Sequence, residues 1–239
     1  MAKKSKTPTP PRRVQAPRRR SDSRGAGKDD RRLLLLALFA ASGVIMLVGV
    51  VAFLGFVGGG DQPDDERVTE AMRAAGCTIE HVEPNAYREP NQVHIPSLDT
   101  KVTWNTDPPG GGAHFGNVAI WNFFDEPVNP RLLVHNEEHG GVVLWWGKDV
   151  SEDTIEQLRS FYEEEPVSMV GTPYPKLGDK VAISAWTGDP TRYGEGSYLG
   201  IAHSATCPRF DEDAFRIFRD AYRGKGPEGT PIEANAPNQ

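Results

Sequence analysis

The sequence contains neither of the loops that commonly cradle nucleotide phosphates. No G-x-x-x-x-G-K-[ST] occurs, nor a strand-linked G-x-G-x-x-G. No internal repeat is present, so the chain is not a stack of small units. Cysteine is scarce, with only Cys77 and Cys207 among 239 residues. An even pair outside the cytoplasm favours one disulfide, whose loop of about 130 residues would constrain the unfolded chain by about 4–5 kcal/mol. The alternative sets Cys207 beside His203, four positions earlier, as a thiolate–imidazole pair, either nucleophile or soft metal ligand.

Charge is absent from residues 33–57, twenty-five positions in a row. At about 1.5 Å per residue such a helix crosses a hydrocarbon core of about 30 Å, and it is too long for the apolar stretch of a signal peptide. Residues 1–32 hold twelve Lys or Arg against three Asp, a balance of +9, which leaves −15 on the remainder. Arg31 and Arg32 precede the apolar run, whereas Asp61, Asp64, Asp65 and Glu66 follow it. The positive-inside rule then keeps the N-terminus in the cytoplasm and exports the acidic part, making this a single-pass protein of the cell membrane. The basic tail, rich in Pro and Ser, is expected to be disordered; it reads as a topology signal, and no nucleic-acid partner is expected.

The organisation expected is a basic tail (1–32), a transmembrane helix (33–57), a linker (58–65), a single extracytoplasmic domain (66–228) and a disordered tail (229–239). The domain reads as α+β, short strands with a few helices. A first helix runs to Ala75 with Val68, Met72 and Ala75 on one side and Gly76 at its end. Ser151 and Asp211 suit the N-caps of two later helices, the first reaching about Glu164 and the second Tyr222. Residues 142–146 and 181–186 are apolar enough for buried strands, and 101–104 is a short strand candidate in a Pro- and Gly-rich region.

All six histidines lie beyond residue 80: His81, His94, His114, His135, His139 and His203. His135-Asn136-Glu137-Glu138-His139 has the H-x-x-E-H spacing of the inverted zincins, in which two histidines one helical turn apart bind zinc and a carboxylate activates water. That chemistry needs a helix, and Asn129 as N-cap, Pro130 at the first helical position and Gly140 past the end would supply one. The competing reading makes 132–134 and 142–146 two strands joined by a polar turn.

These segments also carry a resemblance. Pro108-Pro109-Gly110-Gly111-Gly112-Ala113-His114-Phe115 and Leu133-Val134-His135-Asn136-Glu137-Glu138-His139-Gly140-Gly141 resemble an uncharacterised family of bacterial membrane-anchored proteins, a domain of unknown function frequent in actinobacteria. Gly76-Cys77, His94, His114, His135, Asn136, Glu138, His139 and Gly140 stand at the matching positions. The chain departs from that pattern at Gly110 and Gly111, where Thr-Ser is more usual, and at Glu137, where an apolar residue is. The resemblance brings no activity with it.

Three functions stay open. His94, His114, His135, Glu138 and His139 could form a transition-metal site, for copper or zinc, with Asn136 as an outer hydrogen-bond partner. The domain could instead be a non-enzymatic module binding another envelope protein through Trp104, Trp121, Trp145, Trp146 or Trp186. A metal-dependent hydrolase, third, would use Glu138 as its base.

Overall fold

The structure is a computed structural model that describes residues 64–89 and 92–237. The predicted transmembrane helix, the basic tail and nearly all of the linker fall outside those residues. No described helix is long and apolar enough to cross a membrane.

The chain is α+β. Helix α1 (Asp64–Ala74) leads into strand β1 (Thr78–Val82); the two-residue strands β2 (His94–Ile95) and β3 (His114–Phe115) follow. After helix α2 (Pro130–Glu138) come β4 (Val142–Trp146), α3 (Glu152–Glu164), β5 (Met169–Pro173), β6 (Val181–Thr187), β7 (Ile201–Cys207) and α4 (Glu212–Tyr222). The main sheet has the order β1-β7-β6-β4-β5, antiparallel except for the β4–β5 pair.

Strand alternation sorts the side chains onto two faces. Val142, Leu144, Trp146, Val181, Ile183, Ala185, Ala205 and Cys207 join one cluster with residues of α1, α3 and α4. Val143, Trp145 and Ala182 point the other way and pack with Leu133 of α2. Trp186 on that same face meets Val134 of α2. Helix α2 is therefore held by its apolar side against one face of the sheet, while the other three described helices cover the opposite face.

The helix signals act as their chemistry requires. Asn129 accepts a hydrogen bond from the Arg131 amide, Ser151 from Thr154 and Asp211 from Ala214. Residues 132–134 lie inside α2, so the strand-and-turn alternative fails there. Residues 101–104 form no strand. They are held instead by single bonds: Asn85 Nδ2 donates to the Thr103 carbonyl, and Trp104 Nε1 to that of Ala113. The tail expected to be disordered from 229 folds back, with a 3-10 turn over Ile232–Asn235. Asn235 is buried there, its amide donating to the His139 carbonyl and to Ser168 Oγ.

Cys77 and Cys207 form a disulfide across 130 positions, joining the start of β1 to the end of β7. The thiolate–imidazole alternative is thereby overturned. Four residues along a strand also separate His203 from Cys207 by about 13 Å, beyond contact. Cys77→Ser/Cys207→Ser should lower stability by about 4–5 kcal/mol in the chain-entropy picture, read from denaturant midpoints. Equal midpoints would show that the bond constrains nothing the fold does not already hold.

Candidate metal centre

His94 and His114 are brought side by side by the small parallel ladder, in which they are register partners. Their rings meet edge to face with centroids 4.8 Å apart. The loop that delivers His114 depends on Gly112, whose φ of +104° disfavours a side chain and where a Cβ would stand 2.8 Å from the Asn85 carbonyl oxygen. The Gly112 carbonyl in turn accepts a 2.7 Å hydrogen bond from His114 Nδ1. His135 and Glu138 come from α2, three positions apart and hence on one side of the helix. Gly140 ends the helix at φ +84°.

Around Glu138 Oε2 stand three imidazole nitrogens, His114 Nε2 at 3.0 Å, His135 Nε2 at 3.6 Å and His94 Nε2 at 3.7 Å. The four ligand atoms lie within 4.8 Å of one another. Glu138 and His114 have no exposed side-chain surface, whereas the His94 side chain is 53% exposed, so the group is open on one side only. His139, the fifth predicted ligand, stands one layer out. Its Nε2 lies 3.1 Å from His135 Nε2 and 3.1 Å from Glu228 Oε2.

The tautomers follow from the carbonyls. A carbonyl only accepts, so His114 Nδ1 carries a proton for Gly112 O, and His135 Nδ1 one for Phe115 O at 3.0 Å. In the neutral rings His114 Nε2 then presents its lone pair to the Glu138 carboxylate, while His135 Nε2 accepts from His139 Nε2, 3.1 Å away. His114 Nε2 and Glu138 Oε2, 3.0 Å apart, are both buried, and neither has another hydrogen-bond partner among the described residues. Acceptors facing acceptors in a dry site need a positive charge between them.

Burial pushes His135 down to about 4, helped by the neighbouring His114. Burial would raise the Glu138 carboxyl, but His114 when protonated, the Tyr193 hydroxyl and His135 when protonated outweigh it and lower its pKa below the ordinary value. Tyr193 donates to Glu138 Oε1, which fixes the carboxylate and leaves Oε2 to face the imidazoles. Glu137 plays no part in this group. It points at the sheet, where Ser184 Oγ donates to it over 2.5 Å, and burial raises its carboxyl well above the ordinary range. Asn136 is not the outer partner expected of it; its side chain exchanges two 2.9 Å hydrogen bonds with the Ala119 backbone.

Tyr193 and Glu228 are the members that sequence reasoning missed. Neither belongs to a motif, and Tyr193 lies 55 positions from the carboxylate it orients.

Residues 96–235 match the family described as Protein of unknown function (DUF3105). The chain belongs to that family. The resemblance is thus met at the level of an uncharacterised domain family, and the DUF3105 segment contains His114, His135, Glu138, His139, Tyr193 and Glu228, with His94 just before it. No curated protein and no solved structure matches the chain.

The His135 shift has a definite sign. The unfolded ring protonates near its ordinary value of 6.5, the folded ring only near 4, so metal-free protein loses stability as pH falls through that interval and no further below it. His135→Asn, whose amide can still donate to Phe115 O, should bind about one proton fewer on unfolding at pH 5. Urea midpoints of chelator-treated full chain between pH 7 and 4 measure this; an unaltered slope in the variant would contradict it.

Proposed function

We propose that this protein is an exported, membrane-anchored metalloprotein that binds one late first-row divalent cation, Zn²⁺ foremost, through His94, His114, His135 and Glu138. One observation carries the reading. Ligand atoms about 2.0–2.1 Å from a tetrahedral ion stand about 3.3 Å from one another, and the three nitrogen–carboxylate spacings of 3.0, 3.6 and 3.7 Å bracket that value. An ion there would also neutralise the facing lone pairs, and the Nδ1–H bonds to Gly112 and Phe115 are the outer contacts that orient metal-binding imidazoles. Three imidazoles and a carboxylate suit zinc; copper and iron are the competitors to be tested beside it.

The anchoring rests on the uncharged run 33–57 and its flanking charges. That topology sets the site outside the membrane, where a disulfide persists. His94, exposed and contributed by a two-residue strand, is the ligand most easily replaced by water or by an incoming group. Exchange there would leave His114, His135 and Glu138, the two-histidine, one-carboxylate set of catalytic zinc sites.

The alternatives fit less well. Glu138 stands among the imidazoles at ligand distance, which suits a metal ligand better than the base of a hydrolase. Of the five tryptophans, Trp121, Trp145, Trp146 and Trp186 are buried in the core and unavailable as anchors for an envelope partner.

Full chain purified in detergent without chelators should carry metal that elemental analysis finds reduced by one equivalent in both His114→Ala and Glu138→Gln, with the fold retained by circular dichroism. Unchanged metal content in both variants would rule the site out. Tyr193→Phe, which frees Glu138 Oε1 but keeps every ligand, should weaken binding by about 10–100-fold in a competition titration against a chelator. Unchanged affinity would show that Tyr193 does not orient the carboxylate.

A further inference from the structure

On the opposite face of the sheet, two histidines meet in a way that the metal centre does not use. His81 of β1 and His203 of β7 are cross-strand partners, and their Nδ1 atoms are 2.6 Å apart. Each ring has its other nitrogen on a threonine hydroxyl: His81 Nε2 is 2.8 Å from Thr69 Oγ1, and His203 Nε2 is 2.7 Å from Thr187 Oγ1. Asp65 Oδ1 lies 4.0 Å from His203 Nδ1 and is held there by a 2.9 Å hydrogen bond from the Tyr222 hydroxyl. Tyr222 also stacks on the His203 ring at 3.9 Å, so three elements fix the orientation of this ring. His203 is 1% exposed, while His81 and Asp65 open the group toward solvent.

Proton counting shows what the group can hold. Burial keeps both rings neutral, lowering His81 and pushing His203 down to about 3, so each carries one N–H. Without an ion, one N–H lies between the two Nδ1 atoms, and one threonine must donate while the other accepts. If instead both rings direct their N–H to the threonines, two Nδ1 lone pairs and the Asp65 carboxylate converge with no proton among them. Oxygen partners on the far nitrogens and free lone pairs on the near ones are the arrangement of imidazoles that ligate a metal. Passing from one state to the other moves a proton from Nδ1 to Nε2 of one ring and turns one hydroxyl, and no proton leaves the protein.

We propose that Asp65, His81 and His203 form a second binding site, separate from the first, for a late first-row divalent cation, Zn²⁺ or Cu²⁺, with Thr69 and Thr187 orienting the two imidazoles. The three ligand atoms lie within 4.8 Å of one another. An ion about 2.0–2.1 Å from both nitrogens sets them about 3.3 Å apart, so the rings part by under about 1 Å on loading. The bound ion links α1, through Asp65, to the edge strand β1 and its neighbour β7. It thereby ties the segment that follows the apolar run to the sheet, on the side where the disulfide also joins β1 to β7.

The test is equilibrium dialysis of the full chain in detergent against Zn²⁺, and separately Cu²⁺, followed by elemental analysis. The unaltered chain should take up one equivalent more than His81→Gln, and His114→Ala should keep the equivalent that His81→Gln loses. Asp65→Asn, at an exposed position away from the core, and Thr69→Val, which removes only an orienting hydroxyl, should each weaken that equivalent by about 10–100-fold. Equal uptake by the unaltered chain and His81→Gln overturns the proposal, whatever becomes of the first site. So does full affinity in both Asp65→Asn and Thr69→Val.

Discussion

A carboxylate without exposed surface, ringed by three imidazole nitrogens, is the constraint around which this domain is arranged. Glu138 sits at the end of a nine-residue helix that is committed to the core through Leu133 and Val134. It cannot turn away to water, because the same helix that buries Leu133 also fixes its direction. Three imidazoles and one phenol meet it from four parts of the chain: the ladder strands β2 and β3, helix α2 itself and the loop that carries Tyr193. Such a group without a cation would leave acceptors opposed in a site largely closed to water, a cost that proteins seldom carry without a use for it.

Much of the remaining fold can be understood as support for that geometry. The sheet gives α2 an apolar floor of Val143, Trp145 and Ala182. Glu137 is turned into this floor, where its Oε1 accepts from Ser184, whose hydroxyl also accepts from Trp145 Nε1 over 2.7 Å, so the neighbouring carboxylate does not compete at the site. Behind α2 the chain closes tightly. Gly224 N donates to Gly140 O, and Asn235 reaches back to the His139 carbonyl, so the C-terminal segment caps the helix that carries the ligands.

The helices were legible in the sequence because their signals are local. Asn129-Pro130, Ser151 and Asp211 each place a side-chain acceptor where free helical amides begin, and Gly76 and Gly140 supply the left-handed turn at an end. Strands β4 and β6 were legible for a similar reason, as both are largely apolar runs buried on two faces. Strand β7 was not, since Ile-Ala-His-Ser-Ala-Thr-Cys lacks an apolar period; its polar side chains find distant partners, His203 in Thr187 of the neighbouring strand and Ser204 in the Pro108 carbonyl of a loop. At the site, the histidines could be nominated from their motifs, but the choice among them could not. The pairing of His94 with His114 spans a region of Pro and Gly without periodicity. The different fates of Glu137 and Glu138 depend on which side of one helix turn faces the sheet. Tyr193 and Glu228 arrive by long-range folding alone.

The most direct test of the central claim is an anomalous-difference map at the zinc edge from crystals of the full chain grown with Zn²⁺. The account predicts a peak among His114, His135, His94 and Glu138, about 2.0–2.1 Å from the ring nitrogens and about 2.0–2.2 Å from the carboxylate oxygen. A map with zinc elsewhere and none among these four side chains would contradict it, and would leave the buried Glu138 to be explained by a proton shared with His114.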